Sequence, residues 1–561
     1  MGVSDAPITH PHSFGANIME EQPRNPLPQH IVNRHIDTNT LELYLRGHPQ
    51  PHIVNYVLTG LRYGFDIGFN GTLTPVHRKN NKSARDNPTQ ITQAIAKELT
   101  RGHTAGPFPY PPFPISHISP LGAAPKDDGS YRLVLDLSQP EGQSINDGID
   151  KSEFTTEYTH FDKATEMIRM LGRGCLLSKI DIKHAYRLLP VRKEDWPLLV
   201  YQWEGQYYVD LVLPFGGRSS SSIFTTFADL LCWILTEKCH LHTIHYSDDY
   251  LLASPPLPST QSQRDLNTFK STFHTLGVPV AEDKLVGPTT DLTFIGIMID
   301  TNGFLISIPN DKVQEVVGLF HKWCNTRTCT QTQLQSLVGK LQFFSKVIQP
   351  GRIFTRRLID LIYTVHRRNH HITLTKLAKE DIHWWCELLH SWNQASIIPE
   401  TFRILSTDLR LFTDAAKTKG LGAVLGNSWI MAAWPPDWLE IDIDFKELFA
   451  IMAAAMTWGH QWAGKRIVFI TDNQPITQIW ASGTTPTPNL MLLIRKLFIF
   501  AARNQFLVSF KHISGHHNIA ADALSRFQVS RFRQAVPHAD ERPTPIPETV
   551  WELRTHMHTK H

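Results

Sequence analysis

The sequence predicts an α+β fold, followed along the chain by a helical segment and then by a second, α/β region. Short β-rich runs alternate with helical runs in residues 120–305, the apolar spacing becomes helical in residues 311–393, and a second β-to-α alternation occupies residues 411–526. At 561 residues the chain is too long for one compact core, and typical domain sizes suggest about three to five units. A multidomain protein with two separate sheet regions is therefore expected.

The chain begins with an N-terminal extension. Residues 1–36 are rich in Pro, His and Asn, which predicts that they are partly disordered. Apolar residues recur at helical spacing in residues 41–69 and 91–99. The proline-dense run 107–114 is typical of an extended connector, with an SH3-type ligand as the less common alternative. Five strands are predicted beyond it, at residues 131–137, 176–181, 207–212, 243–253 and 293–299.

Charge is unevenly distributed along the chain. The composition is ordinary for a globular protein, with 41% hydrophobic and 19% charged residues, and the formal net charge of +3 does not by itself indicate a nucleic-acid partner. Residues 312–368, however, hold ten Lys or Arg side chains against Glu315 and Asp360, a net charge of +8. Such a basic strip suits a phosphate backbone, and a solvated helical face explains it equally well.

The six cysteines show neither a Cys-x-x-Cys pair nor a repeated spacing. We interpret them as reduced thiols of an intracellular protein, cytoplasmic or nuclear, because a disulfide framework or a zinc ribbon needs such spacings. Cys324 and Cys329 lie near His321 in the sequence, but no second ligand pair follows at finger spacing. This favours ordinary thiols over zinc ligands.

No targeting or membrane segment is expected. The first thirty residues contain charged side chains, among them Asp5 and Glu20, and they lack the apolar core of a secretory signal. The most apolar stretch, residues 490–502, contains Arg495 and Lys496 and is too short to span a bilayer.

Three acidic residues are expected to converge in the α+β region. Asp248 and Asp249 occupy the turn of an apolar hairpin, and Asp181 ends an apolar strand. Adjacent Asp residues alone are usually turn residues, but three carboxylates at neighbouring strand ends repel one another unless divalent cations lie between them. Hard oxygen ligands select Mg²⁺ or Mn²⁺, and two such ions about 4 Å apart are the usual device for in-line phosphoryl transfer.

These residues resemble the motifs of reverse transcriptases. Tyr246, Asp248 and Asp249 are similar to the Tyr-x-Asp-Asp signature. Asp181 and Tyr186 are similar to the first motif of the palm. Three more motifs follow in the family's order. Residues 125–136 resemble the fingers strand at the triphosphate, and residues 213–224 resemble the loop and helix beside the template. Lys284 and residues 293–297 resemble the motif lysine and the hairpin that grips the primer.

The resemblance implies a right-hand polymerase of fingers, palm and thumb. Asp181, Asp248 and Asp249 would hold two Mg²⁺ ions, for which Mn²⁺ can substitute. The implied nucleotide site consists of Lys126 and Arg132 on the phosphates, Tyr186 under the deoxyribose as a barrier to ribonucleotides, Phe215 beside the nucleotide, and Lys284 as a proton donor to pyrophosphate. Phe215 stands where many viral members carry glutamine, so a polar contact to the nucleotide is in question at this position.

A second set of acids lies in the C-terminal α/β region. Asp414 and Asp472 close apolar strands, while Glu447 and Asp522 open helices whose other faces are apolar. An acid at a helix N-terminus is also explained by the helix dipole, and for Glu447 or Asp522 alone the two explanations are equally good. Together the four resemble the Asp-Glu-Asp-Asp site of ribonuclease H. That resemblance implies two further Mg²⁺ ions, a water activated against the RNA strand of a hybrid, and assistance from His516 or His512.

The resemblance covers residues 95–530 and implies five divisions. These are an N-terminal extension (1–95), fingers and palm (96–305), thumb and connection (306–400), a ribonuclease H-like domain (401–530) and a tail or linker (531–561). The implied partners are an RNA template, a DNA primer, an RNA/DNA hybrid and deoxynucleoside triphosphates, with no membrane, and the oligomeric state stays open. Residues 336–344 and 350–352 are similar to DIRS-like tyrosine-recombinase retrotransposons, with the LTR type as the alternative.

Two other functions compete with this interpretation. An RNA-directed RNA polymerase also has paired aspartates, but it has no use for a ribonuclease H region and normally lacks the ring at Tyr186. A domesticated or decaying element that only binds nucleic acid is the non-enzymatic alternative. Retention of all seven acids argues against that second alternative, because random decay removes such residues.

Overall fold

The computed structural model describes residues 27–29, 35–126, 129–156, 161–258, 260–365, 369–391, 395–398, 409–482 and 485–556. These residues form two compact units. The first is built from the described residues within Met1–Thr159, Ile180–Tyr250 and Asn267–Lys284, and the second from those within His160–Lys179, Leu251–Leu266 and Leu285–His561. The predicted disorder of residues 1–36 falls almost entirely outside the described residues.

The α-helices are named in chain order. They are α1 (Thr38–Tyr44), α2 (Pro51–Tyr63), α3 (Lys82–Arg85), α4 (Pro88–Arg101), α5 (Phe161–Leu171), α6 (Ser220–Trp233), α7 (Gln261–Leu276), α8 (Asn310–Cys324), α9 (Gln331–Phe344), α10 (Arg356–Ile362), α11 (Lys376–Ser391), α12 (Ile443–Trp458), α13 (Gln474–Ser482), α14 (Pro488–Arg503), α15 (Ile519–Ser525) and α16 (Val529–Ala535). None of the helices in the described part of the chain combines the length and the apolar character needed to cross a bilayer.

The strands are named in the same way. They are β1 (Val76–His77), β2 (Thr104–Phe108), β3 (His117–Ile118), β4 (Leu121–Pro125), β5 (Tyr131–Leu135), β6 (Leu176–Asp181), β7 (Val200–Trp203), β8 (Gln206–Asp210), β9 (His242–Tyr246), β10 (Asp249–Ser254), β11 (Val286–Thr289), β12 (Asp291–Phe294), β13 (Ile297–Asp300), β14 (Leu305–Ser307), β15 (Thr328–Thr330), β16 (His371–Thr373), β17 (Ala395–Ile397), β18 (Leu409–Ala415), β19 (Gly420–Leu425), β20 (Ser428–Ala433), β21 (Arg466–Thr471) and β22 (Leu507–His512). The predicted α+β class is confirmed.

Local sequence explains where the helices near the N-terminus begin and end. The Asp37 carboxylate accepts hydrogen bonds from the backbone N–H groups of Asn39 and Thr40, both at 3.1 Å, and so caps α1. Helix α4 begins at Pro88, which needs no backbone donor there, and ends at Gly102 in the left-handed conformation at φ +70°. It is therefore longer than the predicted helix at 91–99, and its boundaries follow from these two residues.

The first unit contains a five-stranded sheet with the order β1-β3-β7-β8-β2 and an antiparallel hairpin of β4 and β5. A buried ion network ties β8 to α4. The Arg187 guanidinium donates to both carboxylate oxygens of Asp210 at 2.8 Å and to Glu98 at 3.0 Å. Because a bidentate Arg–carboxylate pair is geometrically specific, this network fixes the position of α4.

The strands that carry the first predicted acids belong to a sheet with the order β11-β6-β10-β9. Leu177, Ile180 and Leu251 on β6 and β10 are wholly buried, as their apolar runs predict. Residues 180–181 and 249–250 of these two strands belong to the first unit. The predicted strand at 176–181 is confirmed, and the predicted run 243–253 is a pair of strands joined at Ser247 and Asp248.

The second unit contains the α/β region in the predicted element order. Strands β18, β19 and β20 are followed by α12, β21, α13, α14, β22 and α15. The sheet order is β20-β19-β18-β21-β22, in which β18 pairs antiparallel with β19 but parallel with β21, and β21 pairs parallel with β22. The carboxyl ends of β18 and β21 therefore lie at the same edge of the sheet, which is where Asp414 and Asp472 occur.

Helices α8 to α11 precede that sheet within the same unit. The apolar stripe predicted on α9 is buried, with Leu334, Leu337, Val338 and Leu341 each at most 5% exposed. A buried ion pair joins Asp381 on α11 to Arg495 on α14. Residues beyond α15 also pack on this unit, since the Trp551 ring lies 5.4 Å from the Phe449 ring and 5.9 Å from the Trp438 ring.

Candidate active sites

The first candidate site is built where β6 ends. The backbone N–H of Ile182 donates to the Asp248 carbonyl oxygen at 3.1 Å, and the Ala281 N–H donates to the Asp181 carbonyl oxygen at 2.9 Å. The turn that carries Asp248 contains Ser247 at φ +57°, a left-handed conformation that non-glycine residues rarely adopt. Two backbone hydrogen bonds thus hold Asp181 beside the Asp248 turn on one side and the segment before Lys284 on the other.

Lys284 is the cation of this site. Its ammonium group lies 2.9 Å from a carboxylate oxygen of Asp181, and the hydrogen bond raises the pKa of Lys284. Burial and the neighbouring Asp181 charge raise the pKa of Asp248. The two carboxylates therefore repel each other, and the Lys284 ammonium partly balances them.

A cavity of about 510 Å³ opens in front of these residues. Its lining includes Asp181 and Asp248 and all five residues predicted to contact the nucleotide: Lys126, Arg132, Tyr186, Phe215 and Lys284. The volume is within the range of small-molecule sites. The structure thus brings seven of the eight predicted residues of this site to one concave surface, and Asp249 is the one that does not line it.

Aromatic rings connect the nucleotide-site candidates to one another. The Arg132 guanidinium carbon lies 4.4 Å from the centroid of the Phe215 ring, a cation–π contact. The Tyr186 ring lies 5.5 Å from the Phe215 ring and 5.2 Å from the Phe224 ring. Phe215 has no polar group for the nucleotide, and its ring instead contacts the Arg132 and Tyr186 side chains.

The second candidate site is a tight cluster of carboxylates. Oxygen atoms of Asp414 on β18, Glu447 on α12 and Asp472 directly after β21 all lie within 4.8 Å of one another. Asp414 and Glu447 are buried, and the Glu447 Oε2 atom has no hydrogen-bond partner among the described residues. Such an orphaned, buried carboxylate oxygen fits a hard cation such as Mg²⁺ or Mn²⁺.

The electrostatics of the second cluster differ from those of the first. Burial raises the pKa of Asp414 to about 6, although a hydrogen bond from the Ser525 hydroxyl acts in the opposite direction. Burial and the charges of Asp414 and Asp472 raise the pKa of Glu447 well above its usual range. Cations border this cluster, since Lys417, Lys419 and Arg526 line the same cavity and the Arg526 charge acts on Asp414 against the effect of burial.

Residues 124–299 match the sequence profile of a family described as reverse transcriptase (RNA-dependent DNA polymerase). This segment is thus similar to reverse transcriptase domains. It contains all eight residues proposed from the sequence for the polymerase site.

Comparison with curated proteins extends beyond this segment. The chain is similar to the Transposon Tf2-3 and Tf2-7 polyproteins of Schizosaccharomyces pombe, each 22% identical over 426 residues, which is 72% of this chain and 29% of each relative. The chain therefore spans less than a third of the length of these relatives. The resemblance to retrotransposon reverse transcriptases is confirmed, and the choice between the DIRS-like and LTR types stays a prediction.

Matches among solved structures include two complexes of the foamy viral protease-reverse transcriptase. The complex with dsDNA has a TM-score of 0.46 at 17% identity and covers 87% of this chain and 99% of that chain. The complex with an RNA/DNA hybrid has a TM-score of 0.43 at 16% identity and covers 86% of this chain and 64% of that chain.

The acids predicted for each site are not all gathered into one tight cluster. Among the described residues, Asp181, Asp248 and Asp249 are not gathered within 4.8 Å of one another as the second cluster is. Asp522 lines the same cavity as Asp414, but its carboxylate is bound by Arg526 at 2.6 Å and Arg531 at 2.7 Å. Although burial acts the other way, these two arginines lower the pKa of Asp522.

The two candidate histidines both lie near Asp472. A ring nitrogen of His512, Nε2, is 3.1 Å from the Asp472 carbonyl oxygen. Gly515 approaches the Asp472 carboxylate so closely that a β-carbon built on it would lie 3.0 Å from Oδ2. His516 follows in the same exposed turn, Gly515–His517. His512 thus contacts the Asp472 backbone, and His516 adjoins the glycine that approaches the Asp472 carboxylate, so the choice between them stays open.

Sequence reasoning missed one wall of the polymerase cavity. Gln90, Gln93, Lys97 and Arg101 of α4 line it, three to four residues apart and therefore on one helical face. Ile91 and Ile95 are buried on the other side of the helix. The signal was present as a polar stripe, but the predicted boundary between the N-terminal extension and the fingers, at residues 95 and 96, falls inside this helix.

Proposed function

We propose that this chain is an RNA-directed DNA polymerase that copies RNA, and also DNA, into DNA, and that it cleaves the RNA strand of RNA/DNA hybrids. One observation carries the first activity. Asp181, Asp248 and every candidate nucleotide contact line the same cavity within a segment similar to reverse transcriptase domains. Carboxylates that hold divalent cations beside two or three basic side chains are the requirement for handling a triphosphate.

The residues divide the work of polymerisation by their chemistry. Asp181 and Asp248 would hold two Mg²⁺ ions, which supply Lewis acidity for the attack of a primer hydroxyl on the α-phosphate. Lys126 and Arg132 neutralise the triphosphate, and Phe215 keeps the Arg132 guanidinium in place. Tyr186 bounds the sugar site, and Lys284 can return a proton to the departing pyrophosphate.

The carboxylate cluster of the second unit carries the proposed ribonuclease H activity. Asp414, Glu447 and Asp472 would hold the divalent cations, which activate a water against a phosphodiester. Glu447 Oε2 offers a free ligand oxygen at the centre of the cluster. Asp522, held by Arg526 and Arg531, borders the cavity and would join the set after exchanging an arginine for a cation.

Primer extension tests the polymerase half of the proposal. The full chain is given an RNA template, a DNA primer, deoxynucleotides and Mg²⁺, and is compared with Asp248→Asn and with Asp162→Asn, an exposed acid on α5. We expect Asp248→Asn to reduce extension by at least ~100-fold and Asp162→Asn to leave it unchanged. Equal behaviour of wild type and Asp248→Asn would instead support a protein that only binds nucleic acid.

The nucleotide set separates this proposal from an RNA-directed RNA polymerase. We expect deoxynucleotides to be incorporated and ribonucleotides to be rejected, because the Tyr186 ring lies in the wall of the cavity. Efficient extension with ribonucleotides alone would favour the RNA polymerase.

A hybrid-cleavage assay tests the other half independently. Asp472→Asn is compared with Glu541→Gln, which changes an exposed acid of the same unit. We expect Asp472→Asn to lose at least ~100-fold in cleavage of the RNA strand while primer extension continues. Loss of both activities together would indicate misfolding rather than a damaged cluster, and unchanged cleavage would rule the cluster out.

A further inference from the structure

Helices α8 and α11 each present a His-x-x-Cys pair. His321 and Cys324 lie in the last turn of α8, and His383 and Cys386 lie in the middle of α11. Residues three positions apart share one face of a helix, so each pair offers an imidazole and a thiol on the same side. The two helices pack against each other within the second unit.

The fold brings the two pairs together. The Cys324 Sγ atom lies 3.7 Å from the Nδ1 atom of His383, although 59 residues separate them in the sequence. Cys386 lies near enough to Cys324 to be affected by it, because burial and then the Cys324 thiol raise the pKa of Cys386. Cys324 and Cys386 are half-buried and His383 is exposed, so ions in solution can reach the group.

The separation matches what one tetrahedral zinc ion requires of its ligands. Zinc–sulfur and zinc–nitrogen bonds of about 2.3 Å and 2.0 Å at a tetrahedral angle place the two ligand atoms about 3.6 Å apart. Thiolate and imidazole are the ligands that zinc prefers, and both belong to rigid helices here. Sequence spacing argued against zinc because no second ligand pair followed nearby, and the packing of α8 on α11 supplies that pair.

We propose that Cys324, Cys386 and His383 bind one Zn²⁺ ion, with His321 or a water molecule as the fourth ligand. As the side chains stand, the three ligand atoms are not all within 4.8 Å of one another, so binding requires rotation of a side chain, for which exposed His383 is suited. The ion would clamp α8 to α11. This site is independent of the carboxylate clusters and of the proposed catalytic activities.

Cobalt substitution of the full chain tests the proposal without any variant. The reduced, chelator-treated protein is titrated with Co²⁺, and we expect a thiolate-to-cobalt charge-transfer band that Zn²⁺ removes at one equivalent. Oxygen ligands such as the carboxylate clusters give no such band, which separates this site from theirs. Absence of the band in folded wild-type protein would overturn the proposal.

Variants then identify the ligands. Cys324→Ser and Cys386→Ser should each abolish the band and reduce the zinc retained per chain by one, while Cys239→Ser, a half-buried thiol of the first unit, should retain both. Hydrogen exchange in α12 checks that the variants remain folded. A band that survives Cys324→Ser excludes the assignment. The assignment is also excluded if mass spectrometry finds a Cys324–Cys386 disulfide and the protein, once reduced, retains no zinc.

Discussion

The two carboxylate sites of this protein differ in what surrounds the acids. In the first, Lys284 lies on Asp181 and a cation–π pair of Arg132 and Phe215 forms another wall of the cavity. In the second, three carboxylates crowd within 4.8 Å and the pKa of Asp414 rises to about 6. The comparison teaches that a lysine pairs directly with an acid in the first site, whereas burial keeps the acids of the second site protonated to higher pH.

The largest expected effect is on the stability of the second site. The folded carboxyl group of Asp414 keeps its proton to higher pH than an unfolded one, so its contribution to stability is complete below about pH 4 and is lost as pH rises through about 6. The raised pKa of Glu447 acts in the same direction. Without divalent cations we expect the free energy of opening α12 to fall over this range by on the order of 3 kcal/mol. Mg²⁺ should restore much of it by binding the folded state.

Hydrogen exchange in peptides from Ile443–Trp458, corrected for the intrinsic effect of pH, measures this opening. Glu447→Gln is the matched control, because it removes one titrating group while keeping the size of the side chain. Its slope against pH should be smaller than that of wild type, and its response to Mg²⁺ weaker. Identical slopes would show that the cluster is balanced in some other way.

Sugar selectivity should reveal the role of the aromatic wall, a feature of the first site. We expect Tyr186→Val to increase ribonucleotide incorporation by about 10- to 100-fold, the size of one steric contact worth roughly 1–3 kcal/mol. Tyr186→Phe keeps the ring and should keep the selectivity. Single-nucleotide extension with matched deoxynucleotide and ribonucleotide measures both variants, and no increase in Tyr186→Val would count against this role.

Lys284 tests whether the first site really carries its own balancing cation. If its ammonium competes with Mg²⁺ for Asp181, Lys284→Met should lower the Mg²⁺ concentration for half-maximal extension by up to about fivefold, since an exposed ion pair is worth about 1 kcal/mol at most. The maximal rate should fall as well if the lysine protonates pyrophosphate. A slower enzyme with unchanged Mg²⁺ dependence would leave only the second role.

The smallest expected effect concerns the contact between Phe215 and Arg132. Phe215→Leu removes the ring, and a cation–π contact of about 0.5–1 kcal/mol corresponds to a two- to fivefold higher KM for the deoxynucleotide. Arg132→Lys in the same background should add little, because the two changes remove one interaction. Additive effects in steady-state kinetics would show that the residues act separately.

Several features could be predicted because they depend on short stretches of sequence. The order of elements in residues 411–526 and the strand ending at Asp181 both agree with the structure. The nucleotide-site candidates also share one cavity, as the motif order implied. The role of α4 at the cavity could not be predicted, since the Arg187–Glu98 contact that holds the helix there joins residues 89 positions apart.

The sequence by itself determined which acids end the strands and which motifs surround them, because periodicity and turn residues act over a few positions. Only the tertiary structure decided their partners. Lys284 meets Asp181 across 103 residues, and Cys324 meets His383 across 59. The Asp522 carboxylate forms ion pairs with Arg526 and Arg531 and is not part of the tight cluster of the other three acids. Charge pairing depends on distances of a few ångströms in space, and those distances are fixed by the packing of whole sheets and helices.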